Sequence, residues 1–212
     1  MIEKIDPWVR GKKILLLGFG REGKSTWEVL RRLGTFQSVD IADQSAPGEL
    51  PEGIGKWIGG PDYQSCLNDY DVVFKSPGVV LEKPVQDYSC QILSQTEVFF
   101  RCFRDQIIGI TGTKGKSTIT TLLYHLLKHA GYDTVLAGNP VFDLMEEIVP
   151  ETKIVCELSC HQLEYMTVSP HIAILSNIHE EHLDHYGTME KYVRAKEHIF
   201  LNQTPEDVLI CS

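Results

Sequence analysis

Two glycine-rich turns carry the residues best suited to chemistry. The first reads Gly18-Phe19-Gly20-Arg21-Glu22-Gly23-Lys24-Ser25. It matches G-x-G-x-x-G and also the G-x-x-x-x-G-K-S phosphate loop. The second reads Gly112-Thr113-Lys114-Gly115-Lys116-Ser117-Thr118, with Ile110 where the longer pattern has its first glycine. Such turns let backbone N–H groups and the positive end of a helix hold phosphate oxygens. Pattern alone would assign a triphosphate to the first turn, but the nearby acids reverse that choice. A phosphate-loop lysine works beside magnesium, which needs an acid at the end of a neighbouring strand. The apolar run Ile154–Cys156 ends in Glu157, which suits the second turn. Val39–Ala42 ends in Asp43, about 20 residues past the first glycines, where a dinucleotide-type fold places the acid that meets a ribose or base. The first turn reads as a nucleotide-diphosphate cradle, or else as a tight strand–helix turn. The second reads as the ATP triphosphate cradle. Lys24 reads as an exposed helix residue.

A third segment is Asn177-Ile-His179-Glu-Glu-His182-Leu-Asp184-His185-Tyr186, just after the apolar run Ile172–Leu175. Ligands of α/β proteins bind at such carboxyl ends. Histidines 179, 182 and 185 raise zinc, but H-E-E-H is not H-E-x-x-H and no cysteine is close. A magnesium site with one imidazole and a solvated polar loop are the other readings. A helix expected over Met189–Leu201 places Lys196 in an apolar stripe of Met189, Tyr192, Val193, Ile199 and Phe200. A buried lysine tends toward the neutral amine, which CO2 can carbamylate; the alternative is a stem lying on apolar surface with an escaping ammonium.

The elements that must hold these residues alternate. Lys13–Leu17, Ser38–Ala42 and Asp71–Lys75 read as strands in the first half. Ile107–Thr111, Thr134–Ala137, Lys153–Cys156, Ile172–Leu175 and Asp207–Cys211 do so in the second. Helical patterns follow both glycine turns (Trp27, Leu30, Leu33; Leu122, Leu123, Leu126, Leu127), and another covers Glu97–Arg104. The expected fold is α/β, with a Rossmann-like parallel-sheet domain over 1–105 and a P-loop ATPase-type α/β domain from 106 to 212. Gln44–Pro61 reads as a long connection with one short strand near Trp57-Ile58.

Composition sets the outer limits. The 212 residues carry 20 Lys+Arg, 29 Asp+Glu and 42% hydrophobic residues, which argues against wholesale disorder. The net charge of −9 disfavours nucleic-acid and anionic-membrane surfaces as partners. No apolar run approaches the ~18 residues needed to span a bilayer, and the start MIEKIDPWVR lacks a signal-peptide core. Six cysteines without a C-x-x-C pair read as reduced, mostly buried thiols, in keeping with a cytoplasmic protein, and a monomer is expected. Residues 1–105 carry 13 basic and 15 acidic side chains, residues 106–212 carry 7 and 14, and all eight histidines lie in the second part. The two halves should therefore do different chemistry.

Taken together, seven segments resemble the Mur ligases, ATP-dependent amide-forming enzymes of peptidoglycan precursor synthesis. They are KKILLLGFGREG (12–23), SPGV (76–79), GITGTKGKST (109–118), GN (138–139), ELSCHQLE (157–164), NIHEEHLDHYG (177–187) and RAKEHIF (194–200), in family order over the whole chain. The similarity is greatest to the D-glutamate-adding type, with the L-alanine-adding type as the alternative. It implies ATP and two magnesium ions as cofactors, and UDP-N-acetylmuramoyl-L-alanine and D-glutamate as substrates. By the same resemblance, Lys116 contacts the β- and γ-phosphates within the Gly112–Thr118 loop. Ser117 and Glu157 hold one magnesium; His182 and a carbamylated Lys196 hold the other. Asn139 and Ser159 line the muramoyl side, while Gly18, Gly20, Arg21, Glu22, Gly23, Asp43 and Ser76 hold the UDP moiety. Gln162 matches a polar family position of undefined role.

Three departures stand out. Cys160-His161 replace the usual Ser-Phe, Asn139-Pro140-Val141 replace Asn-Ile-Gly, and Lys114 stands where many members have Asn. The family's C-terminal domain has no counterpart in these residues, so the expectation is an incomplete ATP-binding domain, inactive as a ligase by itself. Two other functions compete. An NAD-type oxidoreductase would use the first turn but leave Lys116, Glu157 and Lys196 unexplained. A non-catalytic nucleotide-binding module derived from the family would keep both turns.

Overall fold

Isoleucine and leucine at every position of Ile14–Leu17 leave no polar face, so this run can only sit between covered layers. In the computed structural model, which describes residues 1–45 and 49–211, it is the middle of a five-stranded parallel sheet. The strands are β1 Lys13–Leu17, β2 Ser38–Asp43, β3 Trp57–Gly59, β4 Val72–Lys75 and β5 Gln91–Leu93, in the order β3-β2-β1-β4-β5. The order reverses beside β1, which opens a crevice at the carboxyl ends of β1 and β4. A short α1 (Asp6–Val9) precedes the sheet, and α2 (Arg21–Leu33) leaves the first glycine turn, burying Trp27, Val29 and Leu30. The expected short strand near Trp57-Ile58 is β3; residues 46–48 of the Gln44–Pro61 connection lie outside the described residues. β5 has no counterpart in the expected strands, because three residues are too few to show a period.

The contacts divide the chain into Met1–Val98 and a second unit from Phe99 onward, within α3 (Gln95–Phe103). The second unit holds β6 Ile107–Thr111, β7 Thr134–Ala137, β8 Lys153–Glu157, β9 Ile172–Leu175 and β10 Val208–Cys211, all parallel, in the order β10-β9-β6-β8-β7. Its helices are α4 Lys116–His129, α5 Cys160–Leu163, α6 Leu183–Tyr186 and α7 Met189–Glu197. Every residue of β6 is buried, and β8 and β9 flank it. The loops after these three strands therefore meet at one end of the sheet.

Two expectations change. The helix from Met189 stops at Glu197 rather than Leu201, because Ile199 and Phe200 turn back through three-residue bonds to Lys196 and Glu197. The leucines of α4 are not one buried stripe: Leu123 and Leu127 are half-buried, but Leu122 and Leu126 are 58% and 57% exposed. One residue along a helix turns the side chain by about 100°, so the second pair falls off the face that touches β7 and β8.

At the amino ends of β6, β9 and β10 a buried carboxylate joins three segments. Asp207 accepts from Thr204 N–H at 2.7 Å, from the Thr204 hydroxyl at 3.1 Å and from Arg104, and pairs with His171 Nδ1 at 2.9 Å. Burial alone would raise its pKa, but these hydrogen bonds hold the carboxyl well below the usual carboxylate range. A carboxylate depressed in the folded state stabilises it above the unfolded value and loses that contribution as pH falls toward its own pKa. Asp207→Asn is expected to cost about 2 kcal/mol at neutral pH, with the deficit shrinking below about pH 4. Urea melts across that range check this, and superimposable curves for the two chains at neutral pH would refute it.

Candidate functional site

The second glycine turn closes on itself through one carbonyl. Gly112 follows β6, and its C=O accepts from Lys116 Nζ at 3.1 Å and from Lys196 Nζ at 2.8 Å. Lys116 Nζ also donates to Thr113 O at 3.0 Å. A Cβ at 112 would stand 2.1 Å from Ser176 Oγ and 3.3 Å from Asn177 O, so a side chain there would require Ser176 to turn away. Gly115 at φ 80 turns the chain into α4, whose first turn presents backbone N–H groups without intrahelical partners. The segment after β9 clamps the turn. Asn177 O accepts from Thr113 N–H at 2.9 Å, and its side-chain amide pairs with both backbone groups of Lys114, at 2.9 and 2.8 Å. The Thr113 hydroxyl meets the backbone of His179 and, at 2.9 Å, the Tyr192 hydroxyl.

The acid and the amine reach this turn from opposite neighbours. Glu157 ends β8, and its Oε1 accepts from Ser117 Oγ at 3.1 Å. Lys196, on α7, is 1% exposed, and its ammonium stands 4.9 Å over the Tyr192 ring. Its pKa is lowered to about 8, mainly by burial and in part by the charge of Lys116, with Cys160 and Glu181 opposing the shift. His182 lies across the same tyrosine, with ring centroids 6.1 Å apart, in a left-handed backbone conformation at φ 57. Histidine adopts that region more readily than most residues.

The other predicted positions divide. Asn139 and Glu157 line one cleft of about 380 Å³ with Thr120, Thr121 and Asp143. Ser159 instead caps α5: its hydroxyl accepts from Gln162 N–H, and Gln162 Oε1 accepts in return from Ser159 N–H and Oγ. This explains the polar residue at 162 as a capping box. His182 and His185 gather around His161, whereas His179 is engaged through its backbone. Among the described residues no cluster of three or more His, Cys, Asp or Glu is arranged to hold a metal. Lys114, Gly115 and Thr118 lie exposed along the turn and first helical residues.

In the first unit Gly18, Asp43, Gln44, Tyr63 and Gly78–Val80 line a cleft of about 320 Å³ at the sheet's reversal point. Asp43 Oδ2 accepts from Phe19 N–H at 2.7 Å and Oδ1 from Ser45 N–H and Oγ at 2.8 and 2.6 Å. Burial opposes ionisation, but these three bonds keep the carboxyl below its usual value. Ser76 Oγ donates to Gly18 O at 3.0 Å. Gly20 and Arg21 are exposed at the start of α2. Gly23 packs so closely that a Cβ would meet Gly18 O at 2.4 Å. The Glu22 side chain is buried and its carbonyl accepts from Thr26. Glu22 and Gly23 therefore shape the turn rather than face the cleft.

A sequence profile of the Mur ligase middle domain matches residues 110–212. The UDP-N-acetylmuramoylalanine–D-glutamate ligase of Clostridium kluyveri is 35% identical over 217 residues, an alignment that covers 96% of this chain and 47% of that protein. The enzyme of the same name from Acetivibrio thermocellus is 36% identical, with 95% and 46% covered. The chain belongs to the Mur ligase family. It spans about half the length of the curated relatives it matches. The structure of UDP-N-acetylmuramate:L-alanyl-γ-D-glutamyl-meso-diaminopimelate ligase from Neisseria meningitides shares the fold, with a TM-score of 0.53 and 14% identity over 95% of this chain and 71% of that one.

Around the second glycine turn, sequence reasoning assigned no contact to Asn177, Tyr192 or His161. Asn177 carried a usable signal, being the first polar side chain but one after an apolar strand. Tyr192 reads as a core residue, because its hydroxyl's partner is set by another strand. One titration follows. Between about pH 8 and the ordinary lysine value of 10.5 the unfolded chain holds more protons at Lys196 than the folded one, so this position makes stability rise with pH across that window. Lys196→Met is expected to flatten the rise. Unfolding free energies of both chains that run parallel from about pH 8 to about pH 10 would refute it.

Proposed function

We propose that this chain carries the UDP-substrate unit and the first part of the ATP-binding unit of a UDP-N-acetylmuramoyl-L-alanine–D-glutamate ligase, with 1–105 and 106–212 in those roles. The observation that carries the reading is the convergence on one glycine turn of Lys116, Lys196 and the Ser117–Glu157 pair. An NAD-type oxidoreductase has no use for that convergence. In the first unit the oxygens of Asp43 already hold the turn itself, which further weakens that alternative.

In this reading the Gly112–Thr118 backbone and Lys116 hold the ATP phosphates and neutralise charge as the γ-phosphoryl group moves. A carboxylate oxygen of UDP-N-acetylmuramoyl-L-alanine attacks the γ-phosphorus, the bridging P–O bond breaks and ADP leaves. The D-glutamate nitrogen then attacks the acyl-phosphate carbon, loses a proton, and the C–O bond to phosphate breaks. Positioning the two reactants is the protein's largest contribution.

The donors beside the turn fit magnesium. Ser117 and Glu157 offer hard oxygens within 3.1 Å of each other. His182 and an unmodified Lys196 offer only nitrogen, and carbamylation would give Lys196 the carboxylate-like oxygen that a second magnesium needs. The partly neutral amine favours that reaction. Magnesium held by these residues would offset the negative charge that develops as the phosphoryl group moves. Asn139 in its cleft suits the muramoyl side, and Ser159 acts by capping the neighbouring helix. Gly18 and Ser76, with Gly20 and Arg21 at the rim, hold the UDP moiety, and Asp43 acts by fixing the backbone of that turn. No helix among the described residues is long and apolar enough to cross a membrane, and the cytoplasmic, monomeric state belongs to the same proposal.

Calorimetric titration of the 212-residue chain with Mg–ATP tests the reading. Lys116→Ala is expected to weaken ATP binding roughly tenfold to a hundredfold, the size of one charge-assisted bond, and to leave binding of UDP-N-acetylmuramoyl-L-alanine unchanged. Tight NADH binding with no response to ATP would overturn it.

A further inference from the structure

The departure at His161 has a structural consequence next to the proposed metal ligand His182, and the inference rests on that proposed role. His161 meets His182 edge-on, with centroids 5.1 Å apart and planes at 78°. It meets His185 in the same manner at 4.6 Å and 71°. Its rotation is limited by Cys160 Sγ, 3.6 Å from Nδ1, and by the Tyr186 ring at 5.8 Å. His185 is itself held by Glu164 at 3.2 Å. His182 has no such confinement of its own. Its side chain is 42% exposed, its backbone is left-handed, and the carboxylate nearest to it, on Glu181, lies 3.6 Å away. An imidazole in that setting has several rotamers open to it unless neighbouring rings block them. The rings of His161 and Tyr192 stand against it, 5.1 and 6.1 Å away between centroids, and limit those rotamers.

We propose that His161 is the positioning residue of the His182 imidazole, acting through the shape and edge-to-face contact of its ring. The ring lies between a confined wall (Cys160, His185, Tyr186) and the loosely held His182, so it transmits the order of the first to the second. Partners that orient a metal-ligating histidine are worth about 10- to 100-fold in metal affinity. A phenyl ring would make the same ring-to-ring contacts, whereas a chain of similar bulk without a ring would not.

The test uses the whole 212-residue chain without metal and follows the imidazole C–H signals by NMR. His161→Phe should leave the His182 signals displaced and sharp, as in the parent chain. His161→Leu and His161→Gln should move them toward those of a solvated histidine; both are made so that one folded ringless variant suffices, as judged by the amide spectrum. Mn2+ uptake with ATP, read by electron paramagnetic resonance, should then weaken about tenfold in the ringless variants and stay within about twofold in His161→Phe. Unmoved His182 signals in a folded ringless variant overturn the proposal. So does a His161→Phe chain that behaves like His161→Leu, since an imidazole nitrogen would then be the acting group. If the parent chain takes up no Mn2+ while His182 still responds to the ringless variants, the metal reading fails and the positioning role stands.

Discussion

The carbonyl of Gly112 is the point on which the second unit turns. It accepts from two lysines that arrive from different helices, Lys116 at the start of α4 and Lys196 near the end of α7. Two ammonium groups on one oxygen repel each other, and together with burial this favours loss of a proton at the less exposed one. Gly112 leaves room for Ser176, whose hydroxyl occupies the space that a Cβ would need. The backbone thus brings a fixed charge and a titratable amine to the same turn.

Much of the surrounding structure serves that geometry. β6 is buried along its length, and the hydroxyl of its last residue, Thr111, donates to Leu158 O at 2.8 Å, so its end is fixed relative to β8 and β9. β8 delivers Glu157 to Ser117, and β9 delivers Asn177 to the backbone of Lys114. α7 delivers Tyr192 to Thr113 with the same face that buries Lys196. Each contact comes from an element that is rigid for ordinary packing reasons, which is how a loop acquires the precision that phosphoryl chemistry demands. Far below, Asp207 ties Arg104, His171 and Thr204 together at the other ends of three of these strands.

The first unit treats its glycine turn differently. There the acid at the end of β2 is consumed by the turn, since Asp43 holds Phe19 N–H and both groups of Ser45. Gly23 seats the first turn of α2 against Gly18 O, and Lys24 points outward. The turn that matches the phosphate-loop pattern letter for letter therefore lacks the inward lysine found at the turn that matches it less well. What distinguishes the two is the neighbouring strand ends, not the glycines.

The sequence by itself determined the layers. Runs such as Ile14–Leu17 and Ile107–Ile110 have no polar face, and a glycine turn with a helix after it leaves parallel pairing as the one compact solution. It also placed Lys196 on a buried face, because a period of 3.6 residues is a local property of the chain. The short strand β5 and the early end of α7 were not legible, since each rests on a few hydrogen bonds to distant or turning backbone. The partners were not legible either. That Asn177 clamps Lys114, that Tyr192 meets Thr113, that Ser159 and Gln162 cap a helix and that His161 meets His182 edge-on depend on strand order and loop path. Those distances are set by the tertiary packing of residues tens of positions apart, and no local pattern encodes them.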